Sequence, residues 1–62
     1  GEVWIPANFQ NKSYSIYSAD GRLVRGGKTK KSIDLSNLET GVYLIELRDD
    51  SRNVLVNRIQ KL

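Results

Sequence analysis

From Ser13 to Ser18 the chain reads Ser-Tyr-Ser-Ile-Tyr-Ser, and a period of two places Tyr14 and Ile16 on one face of a strand. Asp20-Gly21 follows. Asp-Gly between apolar segments is a strong hairpin signal, because Gly takes positive φ without strain. Arg22 to Arg25 is the returning arm, with Leu23 and Val24 as its apolar pair. Gly26-Gly27 is expected to end that arm, and the lysines after it to form a solvated loop. Ser32 to Leu35 is a further short strand with Ile33 and Leu35 on one face. Ser36-Asn37-Leu38-Glu39 has the spacing of a capping box. Nothing helical follows, and Gly41 suits a left-handed cap, so the pattern predicts one helical turn. Val42 to Arg48 is the strongest strand. Tyr43, Ile45 and Leu47 share one face, and Val42, Leu44 and Glu46 the other. Both faces start apolar, which predicts an interior strand between two layers. Asp49 to Asn53 is a turn. Val54 to Leu62 is the last strand, and its alternation is imperfect. Either a bulge near Asn57-Arg58 resets the facing, or Leu55 and Ile59 point inward and the valines cover an edge. The pattern leaves both open.

At the other end, Val3-Trp4-Ile5 is a β-prone trio stopped by Pro6, which lacks the N–H a ladder needs. Ala7 to Lys12 is polar apart from Phe9 and reads as a loop. Five or six short strands at this turn spacing predict an all-β fold, a small Ig-like antiparallel β-sandwich, as one domain over residues 1–62.

Composition narrows the chemistry. Sixty-two residues bury a small core and are marginal without a staple or partner. There is no Cys, so no disulfide framework, no thiolate metal site and no redox compartment to read. There is no His, which removes the commonest general base and metal ligand. There is no Met either, and the chain opens Gly1-Glu2-Val3. The expectation is a piece of a longer protein, or a Gly1 left by cloning or cleavage. The formal net charge is +3, mildly basic, and no apolar run nears the roughly 18 residues of a membrane span.

No catalytic constellation stands out. Asp49-Asp50 reads as a solvated hairpin tip, since a calcium site needs several more oxygen ligands. Lys28-Thr29-Lys30-Lys31 could meet phosphates, but without a row of exposed aromatics it reads as a solvated loop. One Arg25-Gly26-Gly27 triplet is a weak nucleic-acid signal, and Asn11-Lys12-Ser13 a weak glycosylation signal. Trp4 reads as a core anchor, the usual place for a lone Trp in a small β domain. No cofactor is expected.

Taken in order, Ile16-Tyr17, Gly21, Val24, Ile33-Asp34-Leu35-Ser36, Leu38, Gly41-Val42-Tyr43-Leu44 and Lys61 resemble a known family. It is the C-terminal sorting domain, type A form, of cargo proteins of the type IX secretion system. The resemblance covers roughly residues 13 to 62. It implies a non-enzymatic secretion signal at the end of a longer secreted protein of a Gram-negative bacterium. The parent would cross the inner membrane, fold in the periplasm, and be addressed by this domain to an outer-membrane translocon. A sortase-like surface peptidase would then cleave the domain off. Gly41, Val42, Tyr43, Arg58, Ile59, Lys61 and Leu62 are the expected translocon-recognition residues. The last strand would be read by strand addition, with charge from Arg58 and Lys61 and apolar anchors from Ile59 and Leu62.

The family usually carries an Asn-Pro motif and another strand upstream of the first hairpin. Here Pro6 precedes Ala7-Asn8 and no Asn-Pro occurs; if the chain starts inside the domain, an upstream strand is missing and an edge is left bare. The bare edge this leaves would pair with a second copy, giving a homodimer by strand exchange or edge pairing. Two other function classes stay open at this point. One is an Ig-like binding or adhesion module working through its loops. The other is an accessory domain that stabilises a neighbouring secreted enzyme.

Overall fold

A computed structural model describes all 62 residues. Its six strands are β1 (Glu2–Trp4), β2 (Ser13–Ser18), β3 (Leu23–Lys28), β4 (Ser32–Asp34), β5 (Gly41–Arg48) and β6 (Val54–Lys61). They form two antiparallel sheets, β1-β4 and β3-β2-β5-β6. This is the all-β sandwich that the alternation predicts, with one layer much smaller than the other.

The core follows from period two. Ile16 stands opposite Ile45, and Tyr14 opposite Leu47, across the β2–β5 ladder. Ile16 is 0% and Ile45 2% exposed. Ile33 and Leu35 descend from the smaller sheet, and Ile5 and Phe9 close the cluster. Phe9 gets there because the segment after Pro6 winds into a single 3₁₀ turn, Ala7–Phe9, where a loop was expected.

Trp4 is a correction. It is 74% exposed and lies outside the core. Val3 pairs with Ile33 and packs on the core, and Ile5 is buried. With residues 3 and 5 facing in, residue 4 must face out. Alternation outweighs the general preference of Trp for burial.

The first hairpin also differs at its far end. Gly21 takes φ +87° and donates its N–H to the Ser18 carbonyl, as the Asp-Gly signal requires. The arm does not stop at Gly26-Gly27, however. It runs to Lys28, with Gly26 opposite Ser15 and Gly27 opposite Tyr14. A bulge at Val24 shifts the register between Ile16 and Tyr17. The following loop is not wholly solvated. Thr29 is 1% exposed; its hydroxyl donates to the Phe9 carbonyl at 2.5 Å and accepts the Lys12 N–H at 2.9 Å. One buried threonine thus ties the 3₁₀ turn to the end of β3, while Lys28, Lys30 and Lys31 stay exposed.

β5 is interior to its sheet but not between two layers. Tyr43, Ile45 and Leu47 are buried, whereas Leu44 on the other face is 37% exposed. The smaller sheet covers only one face. The last strand shows no register shift against β5. Leu55 and Ile59 pack on the core, and Val54 and Val56 lie outside at 52% and 53% exposure. The second of the two readings of residues 54–62 is the right one.

After β4 the chain forms a single hydrogen-bonded turn, without the expected capping box. Asp34, not Ser36, holds the turn: its Oδ1 accepts the Ser36 N–H at 2.9 Å, and the Leu38 N–H reaches the Leu35 carbonyl at 3.0 Å. In the β5–β6 turn Asp49 Oδ1 accepts the N–H groups of Ser51 and Asn53, each at 2.9 Å. Asn53 Nδ2 donates to the other carboxylate oxygen at 2.8 Å. Asp50 pairs with Lys12 at 2.6 Å.

These bonds hold the Asp34 and Asp49 carboxyls below the ordinary carboxylate range, through Ser36 and Asn53 respectively. Asp20 is lowered likewise, first by the Ser18 hydroxyl. A lowered folded-state pKa means that the unfolded chain takes up protons first, near the usual value of about 3.9. The stabilisation is complete above that value and is lost as pH falls through the lower folded-state values. The urea midpoint is therefore expected to be flat from neutrality to mild acid and to fall below it. Asp49→Ala is expected to shrink that acid slope, and a midpoint-against-pH series of the two proteins checks it.

Candidate functional site

The residues expected to be read by a translocon come from two strands, and the fold joins them. In the β5–β6 ladder Gly41 stands opposite Lys61, Val42 opposite Gln60, Tyr43 opposite Ile59, and Leu44 opposite Arg58. The Gly-Val-Tyr signature and the terminal basic and apolar residues are therefore the two sides of one ladder end. Leu62 extends past it, 91% exposed.

Local chemistry explains the start of β5. Gly41 takes φ +154°, a conformation L side chains rarely adopt, so the chain leaves the Ser36–Thr40 turn directly into the sheet. Space is not the constraint, since the nearest atom to a Cβ there would be 3.9 Å away on the Tyr43 ring. Tyr43 then turns inward, and its hydroxyl donates to the Glu39 carbonyl at 2.7 Å, tying the turn to the strand. At 8% exposure its ring offers almost nothing to a partner. In the folded domain Gly41 and Tyr43 fix the shape of this end.

The accessible part is β6. It is the outer strand of its sheet, so one row of its backbone N–H and C=O groups has no partner strand. Arg58 is exposed on the outer face beside Leu44, while Ile59 and Lys61 are half-buried on the inner side. Between this strand and β1 runs a groove lined by Gly1, Glu2, Val3, Leu35, Ile59, Gln60, Lys61 and Leu62. Val3, Leu35 and Ile59 give it apolar walls, and Glu2 and Lys61 are its charged lining residues. Val3, Leu35 and Gln60 were not among the expected site residues. The signal for Val3 lay in the same Val3/Ile5 alternation that places Trp4 outside.

Asp34 and Asp49 hold turns, Asp50 and Glu46 are ion-paired with Lys12 and Arg48, and no group of three or more His, Cys, Asp or Glu side chains is placed to hold a metal.

The family model described as secretion system C-terminal sorting domain matches residues 1–61. The match reaches the first twelve residues, which lie outside the span over which the sequence itself resembles the family. Comparison with curated proteins and with solved structures gave no match. With a two-sheet β fold and a family match over essentially its whole length, the chain belongs to the C-terminal sorting domains of the type IX secretion system.

Proposed function

We propose that this domain directs its parent protein to the outer-membrane translocon through β6, and that it is removed at the cell surface once the parent has crossed. A type IX sorting signal implies export across the outer membrane, to the surface or beyond. The observation that carries the finer reading is the position of β6. It is an outer strand with an unpaired edge, and it lies beside a groove walled by Val3, Leu35 and Ile59.

An outer strand can be read by strand addition. Main-chain bonds supply affinity, and the side chains on alternate faces supply specificity. On the outer face Arg58 offers charge. On the inner side Ile59 would anchor an apolar group of the partner, with Lys61 beside it, and Leu62 past the ladder end would supply a second apolar contact. Gly41, Val42 and Tyr43 act on this by holding the ladder end in shape. Transit through the periplasm and cleavage by a sortase-like surface peptidase complete the route. The same bare edge would pair two copies of the domain, a state competing with the translocon for β6. Sedimentation as a clean monomer at high concentration would remove that state from the account.

Reversing charge at Arg58 and Lys61 together with Ile59→Ala is expected to abolish export of a fused parent. Because Ile59 packs on the core, the charge-reversed pair alone serves as a second variant, its folding checked by circular dichroism. A folded domain that still exports its parent with all three positions changed would rule out reading through β6.

A further inference from the structure

The side of the sandwich opposite β6 carries a feature that sorting through β6 does not use. Arg25 stands opposite Ile16 in the β2–β3 ladder, so its side chain points inward, into the gap between the sheets. It crosses that gap, and its Nη2 donates to the Asp34 carbonyl on β4 at 2.6 Å. Its Nε is shut away from solvent and has no acceptor. No carboxylate pairs with it: the ion pairs of the chain are Lys12–Asp50 and Arg48–Glu46.

Around Arg25 lies an open pocket of about 290 Å³, lined by Tyr14, Arg25, Lys28, Lys30, Ser32, Ile33 and Asp34. Arg25 faces inward, Lys28 and Lys30 line the mouth beside it, and the one carboxylate there, Asp34, already accepts the Ser36 N–H. Gly27, between the two basic residues of β3, puts no side chain over the opening. The volume suits a small tetrahedral ion with a few waters, each taking about 30 Å³.

We infer that this pocket binds a phosphate-type oxyanion, either free or carried on a lipid headgroup. A guanidinium with an idle donor is the group best shaped for two oxygens of such an ion. Binding turns the Arg25 side chain so that Nε reaches the ion, and Lys28 and Lys30 close on it as mobile point charges. The unpartnered Nε and the excess of cations over the single Asp34 carboxylate have one remedy in common, an oxyanion in this mouth. The site lies across the sandwich from the β6 edge and is independent of how export is read.

Titration of the 62-residue domain with sodium phosphate, followed by amide chemical shifts, tests this against sodium chloride at matched ionic strength. The expected result is a saturable shift confined to β3, the Thr29–Lys31 loop and β4. In Arg25→Gln, and separately in Lys28→Gln/Lys30→Gln, the affinity should fall roughly tenfold. The double lysine variant touches no core residue, so its result stands even if Arg25→Gln fails to fold. Equal, unsaturated shifts with chloride, or full phosphate affinity in the double lysine variant, would overturn the inference. Once phosphate saturates, vesicles of phosphatidylcholine with and without phosphatidylglycerol separate the sources. Binding to the anionic vesicles that is lost in the lysine variant assigns the headgroup, and phosphate binding without vesicle binding assigns the free ion.

Discussion

Ile16→Ala is expected to cost about 2–5 kcal/mol, the range for emptying a fully buried Ile or Leu position. Ile16 is 0% exposed, sits at the middle of β2, and faces Ile45 across the ladder. Both neighbouring strands are bonded to β2, so the backbone there has little freedom to collapse into the gap. A chain of this length has roughly 3–9 kcal/mol of stability in total, at about 0.05–0.15 kcal/mol per residue. One substitution can therefore remove half of it or more. Urea denaturation followed by far-UV circular dichroism measures the loss. Trp4 fluorescence is a poor probe, because a 74% exposed indole changes little on unfolding. Val56→Ala is the control: at 53% exposure on the uncovered face it should cost under about 0.5 kcal/mol.

The other large effect concerns position in the chain. Placing the domain between two folded domains is expected to abolish export while leaving the domain folded. The physical reason is the edge of β6. It is the outer strand of its sheet, and folded neighbours on both sides would crowd the space a partner strand must enter. A binding or adhesion module working through its loops would keep its activity in the new place. Deletion separates the third class. Loss of an accessory stabilising domain lowers the parent's melting temperature, whereas loss of a sorting domain leaves an active parent in the periplasm. Surface protease accessibility and cell fractionation read all three outcomes.

Much of the fold was legible because alternation is a local signal. β2 reads directly from Ser-Tyr-Ser-Ile-Tyr-Ser, since Tyr14 and Ile16 alternate onto the covered side and only Tyr17 departs to the other. β6 did not read so directly. Its inward positions are Leu55, Asn57, Ile59 and Lys61, and the polar Asn57 stands opposite the buried Ile45. At an outer strand, solvent reaches the inner side, Asn57 is exposed there, and the alternation breaks without a bulge. The extent of the second layer was illegible for a different reason. Val42 and Leu44 look like residues awaiting cover, yet the two-stranded sheet is too small to supply it on both faces. Apolar residues on an uncovered face of a small sheet are ordinary. Trp4 shows the opposite error, in which residue type was weighed above the periodicity of its own neighbours.

The candidate site was legible in its parts but not in its assembly. Gly41-Val42-Tyr43 and Arg58 to Leu62 are fifteen or more positions apart in sequence, and only the antiparallel register makes them neighbours. The groove beside them needs Val3 and Leu35 from the other sheet, a contact no local pattern encodes. Arg25 was hidden for a related reason. Its inward direction depends on the bulge at Val24, which turns a residue expected at the outer end of a short arm toward the gap between the sheets.

The most direct measurement of the central claim is surface display of a reporter fused ahead of residues 1–62, in a bacterium that has the type IX system. The reporter alone, and a fusion ending after Asn57, are the comparisons. The full fusion is expected to reach the cell surface, and both others to remain in the periplasm. A full fusion that is folded yet stays behind, or a shortened one that reaches the surface as well, would contradict that claim.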